Sequence, residues 1–158
     1  MFFCKILIPA SVVPPLTAIE SANCFGSKFV FSINLIEPNK PIVHSGIQVV
    51  PINYLHAKLQ VFGYRINNFA YITDLKTINN IELDKLKGLD VLVLNCIRIK
   101  EHFSHLNLKE ALDLISIIKP KKTYLTHISH LLGFHEEVSK TLPQDVFLSY
   151  DGLTLNIS

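Results

Sequence analysis

Four polar side chains stand where apolar runs of the sequence give out: His56, Asp74, His105 and His127. Histidine nitrogen and aspartate oxygen are donors suited to zinc or a related hard-to-borderline divalent cation. Two such cations about 3.5–4 Å apart often share a bridging carboxylate and a hydroxide. The run Ala70-Tyr71-Ile72-Thr73-Asp74 delivers one carboxylate at the end of an apolar strand, and Tyr124-Leu125-Thr126-His127 delivers one imidazole in the same way. Strand ends let side chains from distant parts of a chain converge on one crevice. Taken singly, a histidine at a strand end is more often a hydrogen-bonded surface residue, and an aspartate after a strand is more often a turn former. The case rests on all four falling at comparable positions.

Bringing them together requires strands that end on one side. Phe29 to Ile36 alternates as a strand, and Glu37-Pro38-Asn39-Lys40-Pro41 reads as a loop. Ile47 to Tyr54 is rich in β-branched residues and leads to His56; His44, in a loop before it, reads as structural. Val61 to Ile66 and Phe69 to Thr73 flank Asn67-Asn68, the pattern of a hairpin with a tight turn. Asp90 to Cys96 is a near-continuous apolar run, which predicts a strand buried on both faces. Leu108 to Ile118 carries a broad apolar helical face, opened by Asn107 with Glu110 three residues later and closed by Lys119-Pro120. Thr123 to His127 is the next strand, and Leu131 to Leu142 a second helix stopped by Pro143. Val146 to Ser149 and Leu153 to Ile157 read as short closing strands around Asp151-Gly152. This order predicts an α/β fold, α+β in strict terms: a mixed sheet with helices on its outer face. Only one helical layer is encoded after Phe29, so the other sheet face is expected to be apolar and uncovered.

Composition sets the outer bounds. Nearly half of the 158 residues are apolar and 18% are charged, the balance of a well-buried globular chain. A net charge of +2 is too small to imply a nucleic-acid or membrane partner, and the cluster Lys119, Lys121, Lys122 reads as a solvated turn. Three widely spaced cysteines, Cys4, Cys24 and Cys96, give neither a disulfide framework nor a C-x-x-C motif. Cys96, in an apolar run, reads as a reduced core residue, and a reducing, cytoplasmic setting follows. Residues 1–28 form an unassigned leader, expected to be poorly structured: Pro9, Pro14 and Pro15 interrupt it, and it is too broken to span a bilayer.

The motifs then become specific. Gly63-Tyr64-Arg65-Ile66 followed by Phe69-Ala70-Tyr71-Ile72-Thr73-Asp74, then Thr126-His127-Ile128-Ser129-His130 with Gly133 and His135, then Tyr150-Asp151-Gly152-Leu153, resemble segments of metallo-β-lactamase-fold phosphodiesterases. The nearest branch is that of the phosphoribosyl cyclic phosphodiesterases, with tRNA 3′-processing endonucleases more distant. The resemblance spans about four fifths of the chain, residues 29–158, as the second half of an αββα sandwich. It implies His56, Asp74 and His127 as metal ligands, with Asp74 bridging two ions of zinc or manganese. It implies His105, 22 positions before His127 and just ahead of a helix, as the non-ligand histidine that contacts phosphate and protonates the leaving group. His130 and His135 would orient ligands or substrate, or simply cap and pack; His102 would be a further phosphate contact or an exposed side chain. The family signature H-x-H-x-D-H, source of four residues around the metals including the aspartate that orients the attacking water, occurs nowhere in the chain. The expectation is therefore a truncated metal-dependent hydrolase acting on a phosphodiester small molecule, of doubtful activity alone. The alternatives are a half-domain completed by a second copy or a complementing chain, and a non-enzymatic α/β module.

Overall fold

The computed structural model describes residues 5–9, 21–24, 27–30, 32–44 and 46–157. The chain divides into two compact units, residues 1–40 and 41–158. The division falls at the loop expected over Glu37–Pro41, and the sequence boundary at 28/29 lies inside the first unit. That unit contains β1 (Lys5–Pro9), β2 (Ser21–Cys24), β3 (Ser27–Val30) and β4 (Ser32–Ile36). β1 pairs with β4 in parallel, and β2 with β3 antiparallel. The single strand expected from Phe29 to Ile36 is thus two strands with different partners; residue 31, between them, lies outside the described residues.

The second unit is built on one seven-stranded sheet. Its strands are β5 (Ile42–His44), β6 (Ile47–His56), β7 (Leu59–Ile66), β8 (Phe69–Ile72), β9 (Val91–Asn95), β10 (Lys122–Thr126) and β11 (Val146–Leu148). The spatial order is β11-β10-β9-β8-β7-β6-β5. β5 to β8 form an antiparallel meander, while β8, β9, β10 and β11 run parallel. Two reversals separate β6 from β8, so β6 runs in the same direction as the parallel set. The C-terminal ends of β6, β8, β9 and β10 therefore share one edge. The mixed α/β sheet expected from the sequence is the observed architecture.

One face of the sheet carries the core. Ile52 and Tyr54 of β6, Ala70 and Ile72 of β8, Leu92 and Leu94 of β9, Leu125 of β10, and Val146 and Leu148 of β11 are buried in one cluster. Ala111, Leu114 and Ile118 of α2 (Leu108–Ile118) join it. Each fully buried aliphatic side chain contributes about 1.5–3 kcal/mol of transfer free energy. The α2 start is the expected one: Asn107 accepts from the Glu110 amide while the Glu110 side chain accepts from the Asn107 amide. Lys119 ends the helix at φ +55, just before Pro120. On the opposite face, register aligns Phe147, Tyr124, Val93, Tyr71 and Tyr64 in one row across five strands. Tyr71 is 46% and Phe147 42% exposed.

Several elements depart from expectation. The helix expected over Leu131–Leu142 is a 3-10 turn, His130–Leu132, followed by α3, His135–Ser139. Gly133 at φ +117 separates them, a conformation no helix can pass through. The strand expected at Leu153–Ile157 does not form; the chain leaves the sheet after the Ser149 amide bonds the Leu125 carbonyl and turns at Asp151-Gly152. His44 belongs to strand β5, not to a loop. A short helix, α1 (Asn80–Asp84), was not foreseen. Asn79 caps it, and its buried Glu82 accepts from the Asn53 amide at 2.8 Å and pairs with Lys85 at 2.7 Å. Among the described residues no helix is long and apolar enough to cross a membrane.

Candidate metal centre

The shared strand edge brings together the four residues singled out first. His56 is the last residue of β6, Asp74 follows β8 by two positions, His105 lies in the loop between β9 and α2, and His127 follows β10 directly. Asp74 is the hub. Its Oδ1 lies 3.0 Å from His105 Nε2 and 3.6 Å from His127 Nε2. His105 sits between two other imidazoles, edge-on to His56 with centroids 4.5 Å apart and stacked on His127 at 4.6 Å. Both Asp74 and His127 adopt φ +60, left-handed backbone that non-glycine residues seldom occupy and that clusters at functional sites.

Hydrogen bonding fixes which atoms face the centre. His56 Nδ1 lies 3.1 Å from the Asp74 carbonyl and 3.0 Å from the Ser104 carbonyl. Carbonyls only accept, so Nδ1 carries the hydrogen and Nε2 presents its lone pair, the tautomer a ligating histidine needs. His105 Nδ1 is 2.9 Å from Ser104 Oγ and 3.2 Å from His102 Nδ1, leaving Nε2 to donate to the Asp74 carboxylate. Burial pushes the His105 imidazole below its ordinary value, against the opposing pull of that Asp74 hydrogen bond. Burial, then the Arg98 and Lys76 charges, lower His102 likewise.

The backbone around Asp74 is held from several sides. Tyr54, whose phenol burial keeps protonated, donates to the Thr73 carbonyl at 2.5 Å. The Asn95 side chain bonds both the amide and the carbonyl of Leu75. The sequence marked neither residue: Tyr54 read as one more strand residue, and Asn95 as the end of an apolar run. The only signal was a polar amide inside Val91–Cys96, where apolar residues were expected throughout. His130 and His135 do not join the cluster at Asp74. His130, exposed, opens the 3-10 turn, and His135 stands edge-on to Tyr150, centroids 6.5 Å apart. Next to His127 a cleft of about 300 Å³ is lined by Thr126, His127, Ile128, Ser149, Tyr150 and Asp151. Cys96 is a free, buried thiol whose burial pushes its pKa up to about 12.

The donor set fits a divalent cation. His56 and Asp74 offer ligand atoms within 4.8 Å of each other and of a His105 ring nitrogen, and His127 Nε2 lies near the same carboxylate. Imidazole nitrogens and a carboxylate oxygen are the donors zinc accepts.

A family model described as the beta-lactamase superfamily domain matches residues 4–128. The chain belongs to that superfamily, and its fold is that of a metallo-β-lactamase-fold protein, a class whose fold implies metal binding. A solved structure described as a new diphosphatase from the PhnP family is 34% identical with a TM-score of 0.78, covering 81% of this chain and 50% of that one. A protein of Porphyromonas gingivalis named octanoyltransferase is 34% identical over 119 residues, 75% of this chain and 24% of its own length. Zinc-bound PqqB from Methylobacterium extorquens shares the fold, with a TM-score of 0.66 at 13% identity over 81% of this chain and 56% of that one. The chain thus spans half of the diphosphatase and about a quarter of the octanoyltransferase.

Proposed function

We propose that this chain carries the metal-binding edge of a phosphoester hydrolase, with His56, Asp74 and His127 as ligands to zinc or manganese and His105 as the proton donor. The observation that supports this best is the convergence of three histidines, from three separate stretches of chain, around Asp74, which a fourth stretch carries. A bound ion would supply Lewis acidity and an activated water. His56 would offer Nε2, fixed by its Nδ1 hydrogen bonds, and Asp74 and His127 would offer a carboxylate oxygen and a ring nitrogen. His105 holds its hydrogen on Nε2, on the side facing Asp74, where it could protonate a leaving oxygen; acid catalysis of this kind is worth about 10²–10⁴-fold. The diphosphatase relative supports a phosphate-bearing small molecule as substrate. The Cys96 thiol, buried and pushed up to about 12, is poorly placed to act as an acyl nucleophile.

With no H-x-H-x-D-H in the chain, the family's water-orienting aspartate is missing and a bound metal would have few protein ligands. The chain alone should bind metal weakly, lose it to a chelator and turn over slowly. The test is to purify the full chain, titrate zinc and manganese, and assay a chromogenic phosphodiester. Weak binding lost in His127→Ala is the expected result. Tight binding of two ions with brisk, chelator-sensitive turnover would overturn the reading of low activity; metal binding indifferent to His127→Ala and Asp74→Asn would overturn the site.

A further inference from the structure

The Asn95 amide is bonded to the backbone of Leu75, the residue that follows Asp74. Asn95 is the last residue of β9 and fully buried, at the end of a strand whose other side chains are all apolar. Its Oδ1 accepts the Leu75 amide hydrogen at 2.9 Å, and its Nδ2 donates to the Leu75 carbonyl at 3.1 Å. Both polar ends of one side chain therefore grip one residue, itself completely buried.

Leu75 follows Asp74, so the gripped N–H belongs to the same peptide plane as the Asp74 carbonyl. That carbonyl lies 3.1 Å from His56 Nδ1. The plane is thus fixed at its nitrogen by Asn95 and at its oxygen by His56. Its orientation sets the Asp74 ψ angle and, with φ held at +60, the direction in which the carboxylate leaves the chain. The same plane holds the His56 ring in the tautomer that frees Nε2. On the other side of Leu75, its carbonyl accepts from Asn95 and from the Leu106 amide, 3.1 Å away, and Leu106 adjoins His105. A backbone group fixed at a left-handed residue cannot move without carrying its neighbours with it.

We infer that Asn95 is a positioning residue for the metal centre, holding His56, Asp74 and His105 in mutual register through the Leu75 peptide. This rests on the metal-binding reading above and adds the device that assembles the site. An apolar residue of the same size would fill the space but leave the Leu75 N–H buried without a partner, and the Asp74–Leu75 plane free to turn.

The experiment compares the full chain with Asn95→Leu, Asn95→Asp and the distant core variant Ile118→Val. Thermal unfolding reports stability, and Co²⁺ titration followed by its visible absorption reports affinity and coordination. Asn95→Leu should remain folded and bind Co²⁺ about 10–100-fold more weakly, with an altered spectrum, the range typical of lost outer hydrogen bonds. Ile118→Val should lower the unfolding midpoint while keeping parental affinity and spectrum. Asn95→Asp keeps the acceptor and the volume but sets a carboxylate against the Leu75 carbonyl, and serves if Asn95→Leu does not fold. Parental affinity and spectrum in a folded Asn95 variant, or an equal loss in Ile118→Val, would overturn the inference. If the parent chain binds no Co²⁺, the metal reading itself fails. The inference is then decided by ¹⁵N spectra of the metal-free histidines: the His56 ring should be held as the Nδ1–H tautomer in the parent and lose that preference in Asn95→Leu, and an unchanged ring would refute it.

Discussion

One Asp74 oxygen faces two imidazoles, and a third ring leans on the Asp74 carbonyl. His102 and His105 are both held below their ordinary value of 6.5, chiefly by burial. The folded chain therefore binds these protons less readily than the unfolded chain. The corresponding stability is full above the unfolded pKa and is lost as the pH falls toward the depressed folded values. His56, His127, Arg98 and Lys76 face the pair and oppose the added charge, while Asp74 favours it. In chelator, the unfolding midpoint should drop as the pH goes from about 7.5 to about 5.5. A His102→Gln/His105→Gln chain should lose part of that drop. Identical pH profiles for the two chains would show that these rings do not control it.

Strands and helices carry two sharper tests. Gly63 on β7 sits where a Cβ would lie 2.8 Å from the Tyr71 carbonyl oxygen, 3.0 Å from Tyr54 Cε1 and 3.1 Å from Ile72 Cγ1. Gly63→Ala must push backbone against backbone in the hairpin that delivers Asp74, and should cost about 1–3 kcal/mol in denaturant unfolding. A neutral effect would mean that the β7–β8 pairing is looser than it stands. Asn107→Ala removes the α2 cap and should cost about 1 kcal/mol by the same measurement; a change near zero would show that the capping box is not formed in solution. These elements were also the most legible in the sequence, because their signals are local: Asn107 with Glu110, Asn67-Asn68 between alternating runs, the apolar run Val91–Leu94. What the sequence hid is non-local. Leu131 to Leu142 reads as helical by its apolar spacing, and only the φ of Gly133 breaks it. Leu153–Ile157 has the composition of a strand, but the chain turns away from the sheet at Asp151-Gly152. α1 is too short for a periodic signal, and Asn95 shows its purpose only when Leu75, 20 positions away, is folded against it. His56, Asp74 and His127 were recognisable as a set because each closes an apolar run; His105, expected at a strand end, instead lies in the loop between β9, which ends at Asn95, and α2. Which histidines hold a metal, and which a proton, is the part no spacing can decide.

For the molecule as a whole, the two faces of the large sheet are unequal. One is sealed by α2 and the core; the other displays Tyr71 and Phe147 at about half exposure in a row with Tyr64 and Tyr124. A contiguous apolar row of this kind marks a surface that another protein or another copy would cover. The isolated chain should bind a hydrophobic dye or self-associate with rising concentration, and Tyr71→Lys/Phe147→Lys should suppress both while leaving the unfolding transition cooperative. A monodisperse parent chain without dye binding would show that this face is not available. A complementing half that supplied H-x-H-x-D-H would, on the proposed reading, raise metal affinity and turnover together.

Selection and stability pull apart at His127. A side chain held at φ +60 works against its own Cβ, at about 1–2 kcal/mol, a strain glycine escapes at an entropic cost of roughly 0.5–1 kcal/mol. With 40% of its side chain exposed, His127 returns little packing for the difference. Glycine or asparagine would hold this backbone angle with less strain, so the imidazole here costs folding more than its packing returns. In chelator, His127→Gly should unfold no earlier than His127→Ala, and a clearly less stable glycine variant would show that the left-handed turn is held by its surroundings at no expense.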